Sequence, residues 1–184
     1  MSDNSPFKEY WLAYGGWSAL FTSKYFWGAL ILNAVLFSTW YPVDNKWWEQ
    51  ITSIIPNILG FTLGGFAMWV AIGDEKFKSL IAGADDEDEI SPYMEVNATF
   101  THFVLLQLLS LVLAIIAKNF DHVIIGNDFM LAGARAYAFI ANFIFIYAIL
   151  TAVAAVLAIL KVAKWYDDYQ TELNKQAEKD SNNP

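Results

Sequence analysis

Ser53, Asn57, Gly60, Gly64, Ala67 and Ala71 recur at alternating steps of four and three residues within one apolar stretch. On an α-helix that spacing places them on a single face. All are small or polar, so the chemistry they offer is close contact and not bond making. Gly60 and Gly64 form a GxxxG pair, which lets two helix backbones approach closely. Pro56 removes one backbone hydrogen bond beside the stripe. Two uses fit the pattern. The stripe is a helix–helix packing seam, within one chain or between chains, or it is the wall of a pore or cavity in an oligomer. Asp74 and Glu75 follow the stripe. In a ring of copies they would form an acidic pore mouth, as in cation channels. Alone they would be an ordinary solvated helix end.

The consecutive carboxylates Asp85, Asp86, Glu87, Asp88 and Glu89 lack the alternation and the turn glycine of a calcium-binding loop. They read as a solvated loop or as a docking strip for a basic soluble partner. His102, with Thr99 and Thr101 nearby, is a candidate proton-sensing group or a hydrogen-bonded structural histidine. His122 stands apart, beside Asp121. Two distant histidines and no Cys make no metal site, and without Cys there is neither a disulfide nor a thiol nucleophile. There is no phosphate loop, nucleophile elbow or paired-histidine motif. The sequence therefore predicts neither an enzyme nor a cofactor.

The elements that carry these residues follow from where charge is absent. All 11 Lys and Arg and all 19 Asp and Glu fall outside the windows 25–43, 50–73, 96–117 and 136–160. Each window approaches or exceeds the ~20 apolar residues that a helix needs to cross a bilayer. The fold expected is all-α: a polytopic membrane protein with a bundle of four transmembrane helices and an N-terminal interfacial amphipathic helix. Its parts are a cytoplasmic or interfacial segment 1–24, a transmembrane domain 25–163 and a cytoplasmic helical tail 164–184. The N-terminal helix is predicted from Phe7, Tyr10, Trp11, Tyr14, Trp17 and Phe21, spaced mostly by three or four, a stripe that packs on its own bundle or dips into lipid at the interface. Gly15 and Gly16 weaken it. Ser91 and Pro92 are the N-cap and first residue of the third span's helix.

Small residues also mark the other spans. Gln107, Ser110, Ala114 and Ala117 share a face of the third. Ala141, Ala148, Ala152, Ala155 and Ala158 make the fourth a close-packing helix. In the tail, Asp168, Glu172, Lys175 and Lys179 share one helical face, with Glu172 and Lys175 as an opposite-charge pair.

Of the 11 basic residues, Lys46, Lys118 and Arg135 lie on one side of the spans and the others on the opposite side. The positive-inside rule then puts both termini in the cytoplasm of a plasma or inner membrane. No cleaved signal peptide is read at the start. A net charge of −8 disfavours nucleic acid as a partner. No span carries an ionisable Asp, Glu, Lys or Arg, which disfavours proton-coupled carriers and voltage sensors. The partners expected are the lipid bilayer, further copies of the chain in a homo-oligomer and a soluble cytoplasmic protein. The function expected is a channel or pore-like assembly lined in part by the second span. The alternative is a non-conducting membrane anchor or sensor subunit that recruits a soluble effector.

Overall fold

A computed structural model describes residues 5–42, 44–71, 75–83, 90–120 and 127–181. Asp74 and the acidic run Asp85–Glu89 lie outside the described residues, as do Asp121 and His122. The described elements are helices α1 (Pro6–Tyr14), α2 (Gly16–Thr22), α3 (Lys24–Val35), α4 (Phe37–Trp40), α5 (Trp47–Ala71), α6 (Glu75–Ile81), α7 (Pro92–Phe120) and α8 (Asp128–Ser181).

Among the described residues, three helices are long and apolar enough to cross a membrane: α5, α7 and α8. At 1.5 Å rise per residue they measure about 38, 44 and 80 Å, against a hydrocarbon core of about 30 Å. The 25–43 window behaves differently. Its helix breaks at Leu36 (φ −87°, ψ 25°), giving the 12-residue α3 and the 4-residue α4. End to end the pair reaches only about 25 Å. The Trp40 indole donates to the Asn33 carbonyl at 2.9 Å and ties α4 back to α3.

The N-terminal segment is also divided. Gly15 adopts the left-handed conformation at φ 96°, where its N–H closes α1 and α2 begins. A Cβ at Gly15 would come within 2.9 Å of the Ala19 Cβ, so glycine is required for both reasons. Ser5 caps α1 through a bond accepted from the Lys8 N–H. Ser91 caps α7, accepting from the Met94 N–H at 3.3 Å, with Pro92 as its first residue.

α8 is the central element. It packs against α7 on one side and α3 on the other, and α7 packs in turn against α5. The α7–α8 seam is built from small residues. Ala114, Ala141 and Ala148 are fully buried, and Ser110 is buried with them. Side chains pin α8 to both of its neighbours, α7 and α3. The Tyr137 hydroxyl donates to the Leu113 carbonyl at 2.7 Å, and the Asn33 amide donates to the Phe139 carbonyl at 3.1 Å. Two apolar clusters occupy the ends of the bundle. One gathers Trp47, Trp48, Ile51 and Phe145, and the other gathers Trp69, Phe77, Phe100 and Val162.

Between them lies a buried polar layer. Gln107 donates to the Thr62 hydroxyl at 3.3 Å, and Thr62 donates to the Ile58 carbonyl at 2.7 Å. Polar groups inside a membrane bundle turn toward its interior for the same reason apolar ones can face lipid.

Beyond its apolar part, α8 continues as a helix to Ser181 and is exposed from Thr171 to Lys179. Lys175 and Glu172 form an ion pair at 2.6 Å on it. The bond from Lys175 holds the Glu172 carboxyl below its usual range.

Because Ala141 is fully enclosed, Ala141→Leu should lower stability by about 1–3 kcal/mol through overpacking. Ile31→Leu, at an exposed position, should be near neutral. Denaturation midpoints in detergent check both, and equal midpoints would refute the α7–α8 seam as the structural core.

Candidate functional site

Two arrangements stand out: a cluster that the fold assembles and a face that it leaves open. The open face is the α5 stripe. Ser53, Asn57, Gly60, Gly64, Ala67 and Ala71 are all exposed. A Cβ on Gly60 or Gly64 would meet nothing within 4 Å. At about 100° per residue the helix turns its opposite side inward. That side carries Ile51, Ile55, Thr62 and Trp69, which are buried. The polar groups of the stripe are turned onto their own helix. Ser53 donates to the Gln50 carbonyl and Asn57 to the Ser53 carbonyl, each at 2.9 Å. The small-residue faces of α7 and α8 are used within the chain, and that of α5 is not. Glu75 opens α6 as an exposed residue.

The assembled cluster surrounds His102 on α7. Its ring lies within hydrogen-bonding distance of two tyrosines: Nδ1 is 2.7 Å from the Tyr10 hydroxyl and Nε2 is 3.3 Å from that of Tyr147. The Tyr14 ring stacks on the imidazole at a centroid distance of 3.9 Å, and its hydroxyl is 3.3 Å from that of Tyr147. One continuous direction fits a neutral imidazole. Tyr10 donates to Nδ1, Nε2–H donates to Tyr147, and Tyr147 donates to Tyr14. Three helices meet here: α1 brings Tyr10 and Tyr14, α7 brings His102, and α8 brings Tyr147. The phenol of Tyr10 is pushed up from 10.0 to about 12, first by burial and then by the neighbouring Tyr14.

Spacing within one helix marks the α5 stripe in the sequence, but the partners of His102 have no such mark. Tyr10 stands 92 positions away and Tyr147 stands 45 away. The one available signal was that Tyr10 and Tyr14 fall on the same face of a helix. The ring contacts and closed bonds make the cluster a clasp that fastens α1 to the bundle.

No protein-family model, curated protein sequence or solved structure matches this chain.

The raised phenol sets the sign of a pH effect. Above pH 10 the unfolded chain gives up the Tyr10 proton, while the folded chain keeps it to about pH 12. The contribution is complete below pH 10 and is lost as pH rises through that window. Tyr10→Phe should cost about 1 kcal/mol at neutral pH by leaving His102 Nδ1 without its donor. The gap between the two proteins should then narrow from pH 10 to 12. Denaturation midpoints across that range check it, and a constant gap would contradict a half-buried, neutral Tyr10.

Proposed function

We propose that the protein is a homo-oligomeric integral membrane protein, a channel or pore-like assembly lined in part by α5. The observation that carries this reading is the uncovered stripe from Ser53 to Ala71, on the side of α5 opposite its packing against α7. Lipid offers neither a hydrogen-bond partner for Asn57 nor a complementary surface for Gly60 and Gly64. Close packing with another helix offers the surface, and contact with a water-filled axis offers the partner. In this reading the chain crosses the bilayer four times. α3 and α4 together supply the first crossing, and Trp40 and Tyr41 anchor its end at headgroup depth. α1 and α2 then lie along the interface, where exposed Phe7, Leu12, Trp17 and Phe21 meet lipid. Both termini face the cytoplasm, and Asp74 and Glu75 stand at the pore mouth.

One observation favours the second reading, an anchor or sensor subunit. α8 continues far past its apolar part as an exposed, charged helix. Such a helix, with the acidic run Asp85–Glu89, gives a soluble partner a surface to hold.

Gly64→Leu separates the two readings, because a Cβ at this exposed position meets nothing within 4 Å in the protomer. In the first reading the variant keeps its helicity, dissociates at least about tenfold more readily (~1.4 kcal/mol) and loses or alters its current in planar bilayers. Cross-linking in membranes and single-channel recording measure these. A wild-type protein that is monomeric and silent in bilayers would overturn the reading. Co-purification of a soluble protein, lost when Asp85–Glu89 are neutralised, would instead support the anchor.

A further inference from the structure

At the end of the bundle where α7 stops and α8 starts there is a cavity of about 290 Å³. Its wall is mostly apolar and aromatic, with Trp40, Trp47, Trp48, Phe120 and Tyr137 prominent. Among the described residues that line it, Arg135 is the one charged group. The guanidinium lies over the Tyr41 ring, 4.3 Å from its centroid. The Nε of Arg135 is buried and has no hydrogen-bond partner among the described residues. A guanidinium N–H removed from water and left unpaired is costly, so native structures normally give it an acceptor. Among the described residues, the carboxylates of this end, Asp44, Glu49 and Asp128, are exposed and stand outside the cavity wall.

The depth of the cavity indicates what the acceptor is. Arg135 immediately precedes the uncharged part of α8, and Ala117 on the opposite wall ends that of α7, followed by the exposed Lys118. Basic residues and Trp or Tyr at such a boundary stand at headgroup level. We propose that this cavity binds an anionic phospholipid, with its phosphate on the Arg135 guanidinium and one acyl segment along the tryptophan wall. Guanidinium and phosphate match in geometry as well as charge. The volume, at the low end of ligand sites (about 300 Å³ upward), suits one acyl segment and not a whole lipid. The proposal requires that the chain lie in a bilayer. It does not require the α5 oligomer.

The test uses the full chain in detergent micelles, with dioleoyl phosphatidylglycerol and dioleoyl phosphatidylcholine as probes and retained lipid counted by native mass spectrometry. Both probes carry a phosphodiester, but the choline ammonium of phosphatidylcholine offsets its charge, so phosphatidylglycerol should be retained at about tenfold lower concentration. Arg135→Gln should abolish that preference, and Arg135→Lys should keep part of it. Gly133→Leu should reduce retention of both lipids, since Gly133 lines the cavity and a Cβ there meets nothing within 4 Å. Equal retention of the two lipids by the wild type would overturn the proposal. So would a preference unchanged by Arg135→Gln, or displacement of the lipid by inorganic phosphate at equal concentration. Should Arg135→Gln fail to fold, Gly133→Leu decides, and unchanged retention in it would overturn the proposal.

Discussion

Helices that cross a bilayer gain little from hiding apolar side chains, because lipid tails are as apolar as leucine. What holds them together is contact at short range, and short range requires small side chains. The α7–α8 seam meets that requirement with Ser110, Ala114, Ala141 and Ala148, all buried. The other elements are arranged around it. α3 lies along α8, α5 lies along α7, and α1 is clasped to α7 through His102. The large aromatic residues take the ends of the bundle, where the helices have room between them.

The buried polar groups work within this frame. Gln107 joins α7 to Thr62 of α5, and Asn33 joins α3 to the α8 backbone. Each bond fixes a helix pair in rotation, because moving either partner would leave an amide unpaired where no water can reach it. The His102 cluster extends the same logic to the N-terminal segment. Gly15 breaks the chain so that α1 can lie against α7 while α2 leads into α3. A straight helix through Gly15 would carry Tyr10 and Tyr14 in a different direction from the one that places them on the imidazole.

Three small-residue faces thus meet two outcomes. Those of α7 and α8 are consumed in one protomer, while that of α5 is left uncovered from Ser53 to Ala71. The difference lies in what stands on the opposite side of each helix. α5 carries Ile51, Ile55 and Trp69 half a turn away from its glycines, and these bulky residues fill the space beside α7. Its polar residue on that side, Thr62, is the one that Gln107 reaches.

Much of this was legible in the sequence. Three of the four uncharged windows became long helices, the Ser91-Pro92 pair marked the start of α7, and residue spacing marked the small-residue faces. These are local properties, set by hydropathy, capping and the period of one helix. The break at Leu36 was not legible, since nothing in the apolar run around it is a helix breaker. Neither was the setting of His102, whose partners are brought from two other helices. Whether a small-residue face is turned inward or left open is equally invisible to spacing, which is the same in both cases. The sequence alone determined which segments are helical and which faces could pack closely. Only the tertiary structure decided which of those faces did, because packing is a competition among all the helices for the same few contacts.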